Sequence, residues 1–97
     1  MILELATIDI KPGSNAPFED NLSKAQHVIS KSGGYAGHQF QKCIEQGNRY
    51  IFLIRWQTLE DHNSFRESDL FLEWRALIGP FFETPPNVQH YELKFEM

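Results

Sequence analysis

Seven consecutive residues, Tyr50-Ile51-Phe52-Leu53-Ile54-Arg55-Trp56, restrict this chain more than any other stretch. They read as a β-strand with bulky side chains pointing both ways. Antiparallel sheets in small proteins commonly leave one face in water. A strand that is apolar on both faces needs cover on both. Helices on one side and a second subunit on the other meet that demand.

The chain has 97 residues, one domain's worth, so residues 1–97 are read as a single domain. Eight Phe, three Tyr and two Trp suit either an aromatic core or a pocket for a flat organic molecule. Thirteen acidic residues against nine basic ones give a net charge of −4 with no basic run. The cationic footprint that nucleic acid requires is missing. No apolar stretch approaches the roughly 20 residues of a membrane helix. The one cysteine, Cys43, excludes an internal disulfide. With no basic secretion signal at Met1-Ile2-Leu3-Glu4, the expected compartment is the cytoplasm.

Residues 2–10 read as a first strand ending at the turn signal Lys11-Pro12-Gly13. Asn15 is a candidate helix cap, and Phe18, Leu22, Ala25 and Ile29 recur at helical spacing. The helix stops before Gly33-Gly34, and Tyr35 to Glu45 forms the second strand. Gln46-Gly47-Asn48 turns the chain into the Tyr50–Trp56 strand. Thr58 caps a short helix, Ser68 begins another helical piece through Leu70, Phe71, Trp74, Leu77 and Ile78, and Gly79-Pro80 ends it. Val88 to Phe95 is the last strand.

This β-α-β-β-α-β order is the ferredoxin-like pattern of the α+β class, a four-stranded antiparallel sheet with helices on one face. If Tyr50, Phe52, Ile54 and Trp56 face the helices, then Leu3, Leu5, Ile51 and Leu53 lie on the other face. Each of those left in water forgoes about 1.5–3 kcal/mol of burial, so a homodimer is expected.

Several of these segments, namely the strand ending in Trp56, Thr58-Leu59-Glu60-Asp61-His62, Ser68-Asp69-Leu70-Phe71 and Gly79-Pro80-Phe81-Phe82 to His90-Tyr91, together resemble the antibiotic biosynthesis monooxygenase domain family. The resemblance implies a dimeric α+β barrel. It also implies either oxygenation of quinols or anthrones without metal or flavin, or haem degradation. The haem branch carries an axial His, a Trp and an Asn where this chain has Arg75, Phe65 and Ala6. Arginine does not ligate iron, so no cofactor and no metal is expected. Anthrone-oxidising members carry a Trp matched by Trp56, an Asn replaced here by Phe52 and a Tyr replaced by His62.

Cofactor-free oxygenation needs an electron-rich substrate, a dry aromatic cavity, one proton acceptor and a donor for developing charge. Histidine suits the acceptor near neutral pH, and an indole N–H suits the donor. The candidate catalytic residues are therefore His38, His62 and Trp56. Tyr35, Phe52, Phe65, Trp74 and His90 are candidates for substrate binding. With a three-residue hairpin loop, His38 lies opposite Trp56, Phe40 opposite Ile54 and Ile44 opposite Tyr50, whereas a two-residue loop exchanges the faces. The blander readings are a core-edge histidine for His38, a solvated one for His62 and a core ring for Trp74. Arg66 and Arg75 read as helix-surface charges. The expected partners are a small aromatic molecule, dioxygen and a second copy of the chain. The competing readings are a small-ligand-binding or stress-response protein without chemistry, and an isomerase or decarboxylase working by proton transfer alone.

Overall fold

Two strands with alternating burial organise the molecule. In the computed structural model, which describes residues 1–97, they are β1 (Ile2–Asp9) and β3 (Arg49–Trp56). Around them lie α1 (Asn15–Ile29), β2 (Tyr35–Lys42), α2 (Leu59–Arg66), α3 (Asp69–Ile78), a 3-10 turn (Gly79–Phe81) and β4 (Asn87–Glu92). The strands pair antiparallel in the order β2-β3-β1-β4. This is the expected ferredoxin-like α+β fold, with β1 and β3 central and all helices on one face.

The inner face carries Ala6 and Ile8 from β1 and Tyr50, Phe52, Ile54 and Trp56 from β3. The expected α1 stripe, Phe18, Leu22, Ala25 and Ile29, is buried against it, joined by Phe65 of α2 and Trp74 and Ile78 of α3. The side-chain amide of Asn21 donates to the Leu77 carbonyl at 2.9 Å and ties α1 to α3. On the outer face Leu3, Leu5, Ile51 and Leu53 are half-buried, as the alternation requires.

Local chemistry sets the position of α2. The Thr58 hydroxyl accepts the Asp61 backbone N–H at 3.1 Å, which makes Thr58 the N-cap. The loop before β2 is held beneath it by the Gln57 N–H donating to the Gly34 carbonyl at 2.8 Å. Gly34 has φ +80°, and a Cβ there would overlap the Asp61 carboxyl group. Only glycine serves at that junction.

Four local expectations are corrected. Ser14, not Asn15, occupies the N-cap of α1. Asn15 is drawn away instead, its amide donating to the Gly47 carbonyl at 2.7 Å and the Tyr50 hydroxyl at 2.9 Å. Second, β2 ends at Lys42 and leaves Ile44 93% exposed. Third, β4 ends at Glu92, opposite Ile2, because residues 93–97 run past the end of β1 and have no strand to pair with.

The fourth concerns the hairpin between β2 and β3, whose register is offset by two residues from the three-residue-loop reading. Phe40 faces Phe52, His38 faces Ile54, and Tyr35 faces Trp56. The Cys43 N–H donates to the Arg49 carbonyl at 2.8 Å and closes a longer loop over residues 44–48. Arg49 is itself fixed by a two-pronged pairing with Asp9 at 2.8 and 3.0 Å. A two-residue offset keeps every side chain on its expected face but carries His38 away from Trp56. A bulge between Tyr35 and Gly37 restores the pairing at the strand end.

Candidate active site

The inner face of β1 reads Glu4, Ala6, Ile8, and Glu4 is the only acid among them. The residue is 7% exposed. The Trp56 indole N–H donates to Glu4 Oε1 at 2.9 Å. His62, in the first two turns of α2, lies over the Trp56 ring with centroids 5.2 Å apart and planes at 23°. That stacking brings its Nε2 to 3.2 Å from the same Oε1. His90 sits opposite Glu4 in the β1–β4 pairing, and its Nε2 is 2.6 Å from His62 Nδ1. A chain therefore runs from the buried carboxylate through a buried imidazole to an exposed one.

Burial governs the titration of all three groups. It raises the Glu4 carboxyl above its ordinary value, against smaller opposing effects of the Trp56 bond and the Arg66 charge. It also depresses the His62 imidazolium to about 4, helped by His90 and Arg66. His90 is depressed by burial and by Arg66. At neutral pH His62 is therefore neutral, with one N–H and one acceptor nitrogen. If Glu4 is ionised, His62 Nε2–H donates to it and Nδ1 accepts from His90. If Glu4 is protonated, the donor directions reverse. The reversal moves one proton between interior and surface.

Both contacts to Glu4 fall on Oε1. Oε2 has no protein partner and is not fully buried, and Glu4 lines a cavity. This cavity holds about 260 Å³. Its floor is Ala6, Ile8 and Phe52, and Phe71, Trp74 and Ile78 of α3 form a wall. Phe82, Pro85, Pro86 and Val88 close one side, and His62, Arg66 and Arg75 supply the remaining polar edge. A dry cavity of about 150 Å³ already accepts benzene, so one substituted ring fits. Two other hollows have less to offer chemistry. One of about 350 Å³ lies between α1 and the β2–β3 edge, and the largest, about 700 Å³, lies on the outer sheet face.

The expected site residues separate into three groups. His62, Phe52 and Trp74 line the cavity. Trp56 and Phe65 stand behind it, 0% and 2% exposed, and the Trp56 N–H is spent on Glu4. His90 joins only through His62. His38 and Tyr35 lie elsewhere. The Tyr35 hydroxyl bonds His38 Nδ1, and His38 Nε2 lies 3.0 Å from Gln26 Oε1. Both His38 nitrogens are engaged by side chains, and its ring lies against Phe40 at 4.4 Å, outside the cavity. Tyr35 still touches the far edge of Trp56, with centroids 6.4 Å apart.

Glu4, Arg66, Arg75 and Phe71 complete the cavity and were not among the expected residues. Glu4 had a signal. With Leu3 and Leu5 assigned to the outer face, the carboxylate between them had to point inward, where an unpaired acid is rare. Although two histidines and a glutamate converge, their polar atoms face one another, and no group of such side chains is arranged to hold a metal ion.

A split βαβ sheet with one mixed polar and aromatic cavity beneath its helices defines a ferredoxin-like α+β protein with a site of small-molecule size. Residues 1–77 match the family described as antibiotic biosynthesis monooxygenase, and the chain belongs to that family. It is 40% identical over 93 residues to YczJ, an uncharacterised protein of Bacillus subtilis (strain 168), with 95% of this chain and 98% of that one covered. It is 35% identical to a Bordetella bronchiseptica protein solved as a candidate antibiotic biosynthesis monooxygenase, with a TM-score of 0.93 and 97% of each chain covered. SnoaB of Streptomyces nogalater, a cofactor-independent oxygenase, shares the fold at 11% identity, with a TM-score of 0.86 over 99% of this chain and 95% of that one.

Proposed function

We propose that the chain is a cofactor-independent monooxygenase acting on a single electron-rich ring, such as a hydroquinone or catechol. The observation that carries this reading is the Glu4–His62–His90 chain, whose Glu4 lines an aromatic cavity of about 260 Å³. Pockets for larger ligands run from about 300 to 1,000 Å³, so a three-ring anthrone is a poor fit. Family membership and the oxygenase activity stated for SnoaB support the reaction class.

The chemistry follows from the donor set. Glu4 Oε2 takes a phenolic proton, aided by a carboxyl group that burial has made more basic. The resulting phenolate passes an electron to dioxygen, and the radical pair combines to a peroxide. One oxygen atom stays on the ring and the other leaves as water, which takes its proton back from Glu4. The ring supplies all four electrons, so a hydroquinone yields a hydroxyquinone and one water. Trp56 holds Glu4 in place through Oε1, and His62 and His90 keep the carboxyl in exchange with solvent.

A second copy is taken to cover the outer face. Leu3, Leu5, Ile51 and Leu53 remain half-exposed in one chain, and Tyr91, Leu93 and Phe95 are 46%, 69% and 95% exposed. Sheet-to-sheet pairing buries them together. No helix is long and apolar enough to cross a membrane, and the free thiol of Cys43 suits a reducing cytoplasm. An oxygen-electrode screen of hydroquinones, catechols and anthrones tests the reading. Uptake with one-ring substrates supports it. Tight binding of such rings with no uptake would make this a ligand-binding protein instead.

A further inference from the structure

The cavity rim carries two guanidinium groups that the chain does not neutralise. Arg66 of α2 and Arg75 of α3 both line the cavity. Neither has a carboxylate within 4 Å; the ion pairs of the chain are Asp20–Lys24, Asp9–Arg49, Glu4–His62 and Glu92–Lys94. Glu4 is the only acid at the cavity; it feels the Arg66 charge, but its hydrogen bonds go to Trp56 and His62. Arg75 is not loose in solvent. Its guanidinium carbon lies 5.8 Å from the Phe71 ring centroid and 5.3 Å from that of Phe82, so two rings at the cavity edge hold the charge there. In a chain of net charge −4, two arginines against a single acid make this rim a local reversal of sign.

We propose that Arg66 and Arg75 select a ring compound bearing an anionic substituent, in the simplest case an aromatic carboxylate. The apolar wall of Phe52, Phe71 and Trp74 takes the ring, and the guanidinium rim takes the carboxylate. Planar guanidinium groups pair two-pronged with carboxylates, and such charge-assisted bonds are about twice as strong as neutral ones. A cationic ring meets repulsion at the same rim. This inference rests on the cavity being the substrate site proposed above and narrows the substrate class to ring acids.

The test is binding under nitrogen, so that turnover plays no part. Calorimetry on the whole protein compares 2,5-dihydroxybenzoate with hydroquinone, which is the same ring without the carboxylate. The expected result is about ten-fold or greater preference for the acid, roughly one good charge-assisted contact. Arg66→Gln and Arg75→Gln each reduce that preference several-fold, and the double variant abolishes it, the affinity for the acid falling much further than that for hydroquinone. Lys24→Gln, a distant loss of the same charge, leaves the preference intact. Equal affinity for the two rings in the wild type would overturn the inference, as would equal weakening of both by the arginine variants. Loss of oxygen uptake with the acid preference preserved would count against the oxygenase reading alone. Uptake of neutral rings without any acid preference would count against this inference alone.

Discussion

At the scale of the residue, the central feature is one carboxylate placed where water cannot solvate it. Burial raises Glu4 and depresses His62, because each pays for carrying charge in the same dry spot. The two effects have opposite consequences for stability. The Glu4 carboxyl is raised in the folded chain, so it removes stability as pH climbs from the ordinary carboxylate range through its raised value. His62 titrates at about 4 when folded against 6.5 when unfolded. The unfolded state therefore binds more protons between those values, and stability falls as pH drops through that window. Replacing His62 with Gln removes this contribution. In urea titrations at pH 7 and pH 5, the wild type should lose stability relative to His62→Gln on acidification, with His90 continuing to act in both proteins. A gap between the two proteins that does not change with pH would show that His62 is not buried neutral.

At the scale of the element, helices and strands were largely legible in the sequence, because their signals are local. The Phe18-Leu22-Ala25-Ile29 stripe forms the buried side of α1 as its spacing requires, and Thr58 caps α2. The hairpin register was not legible. It depends on Arg49 meeting Asp9 and on Phe40 lying 4.5 Å from Phe52, contacts between residues distant in sequence. His38 was thus placed on the correct face but beside the wrong partner. Gly34 shows how an element junction reaches the site. Its positive φ and its closeness to Asp61 set the start of α2 and hence the position of His62. Gly34→Ala should destabilise the fold by more than about 1 kcal/mol, read as a lowered urea midpoint. Adding Asp61→Ala should recover only part of the loss, because the backbone strain remains. A Gly34→Ala protein as stable as wild type would contradict this description of the junction.

At the scale of the whole molecule, the two faces of the sheet were readable from alternation alone. The same alternation pointed Glu4 inward, but an acid in a single apolar strand reveals its partners only when Trp56, His62 and His90 converge on it from other elements. Arg66 and Arg75 read as surface charges for the same reason. Their helices expose them, and only the packing of α3 over the sheet, with Trp74 against Phe52, makes that surface the rim of a cavity. The outer face leads to a prediction about assembly. Leu53 pairs with Leu5 across the centre of that face, and a charge there cannot be buried unpaired. Sedimentation should show the wild type as a dimer and Leu53→Glu as a folded monomer. A wild-type monomer at micromolar concentration would contradict the pairing of sheets.

The proposed oxygenation requires Glu4 as its base, and the pH dependence of oxygen uptake by wild type and Glu4→Gln tests that requirement. With a one-ring hydroquinone, the wild-type rate should rise with pH through a limb lying above the ordinary carboxylate value. Glu4→Gln, which keeps the shape but not the charge, should lose about 100-fold or more in rate and lose that limb. A Glu4→Gln protein that takes up oxygen at the wild-type rate with the same pH profile would contradict the proposed chemistry.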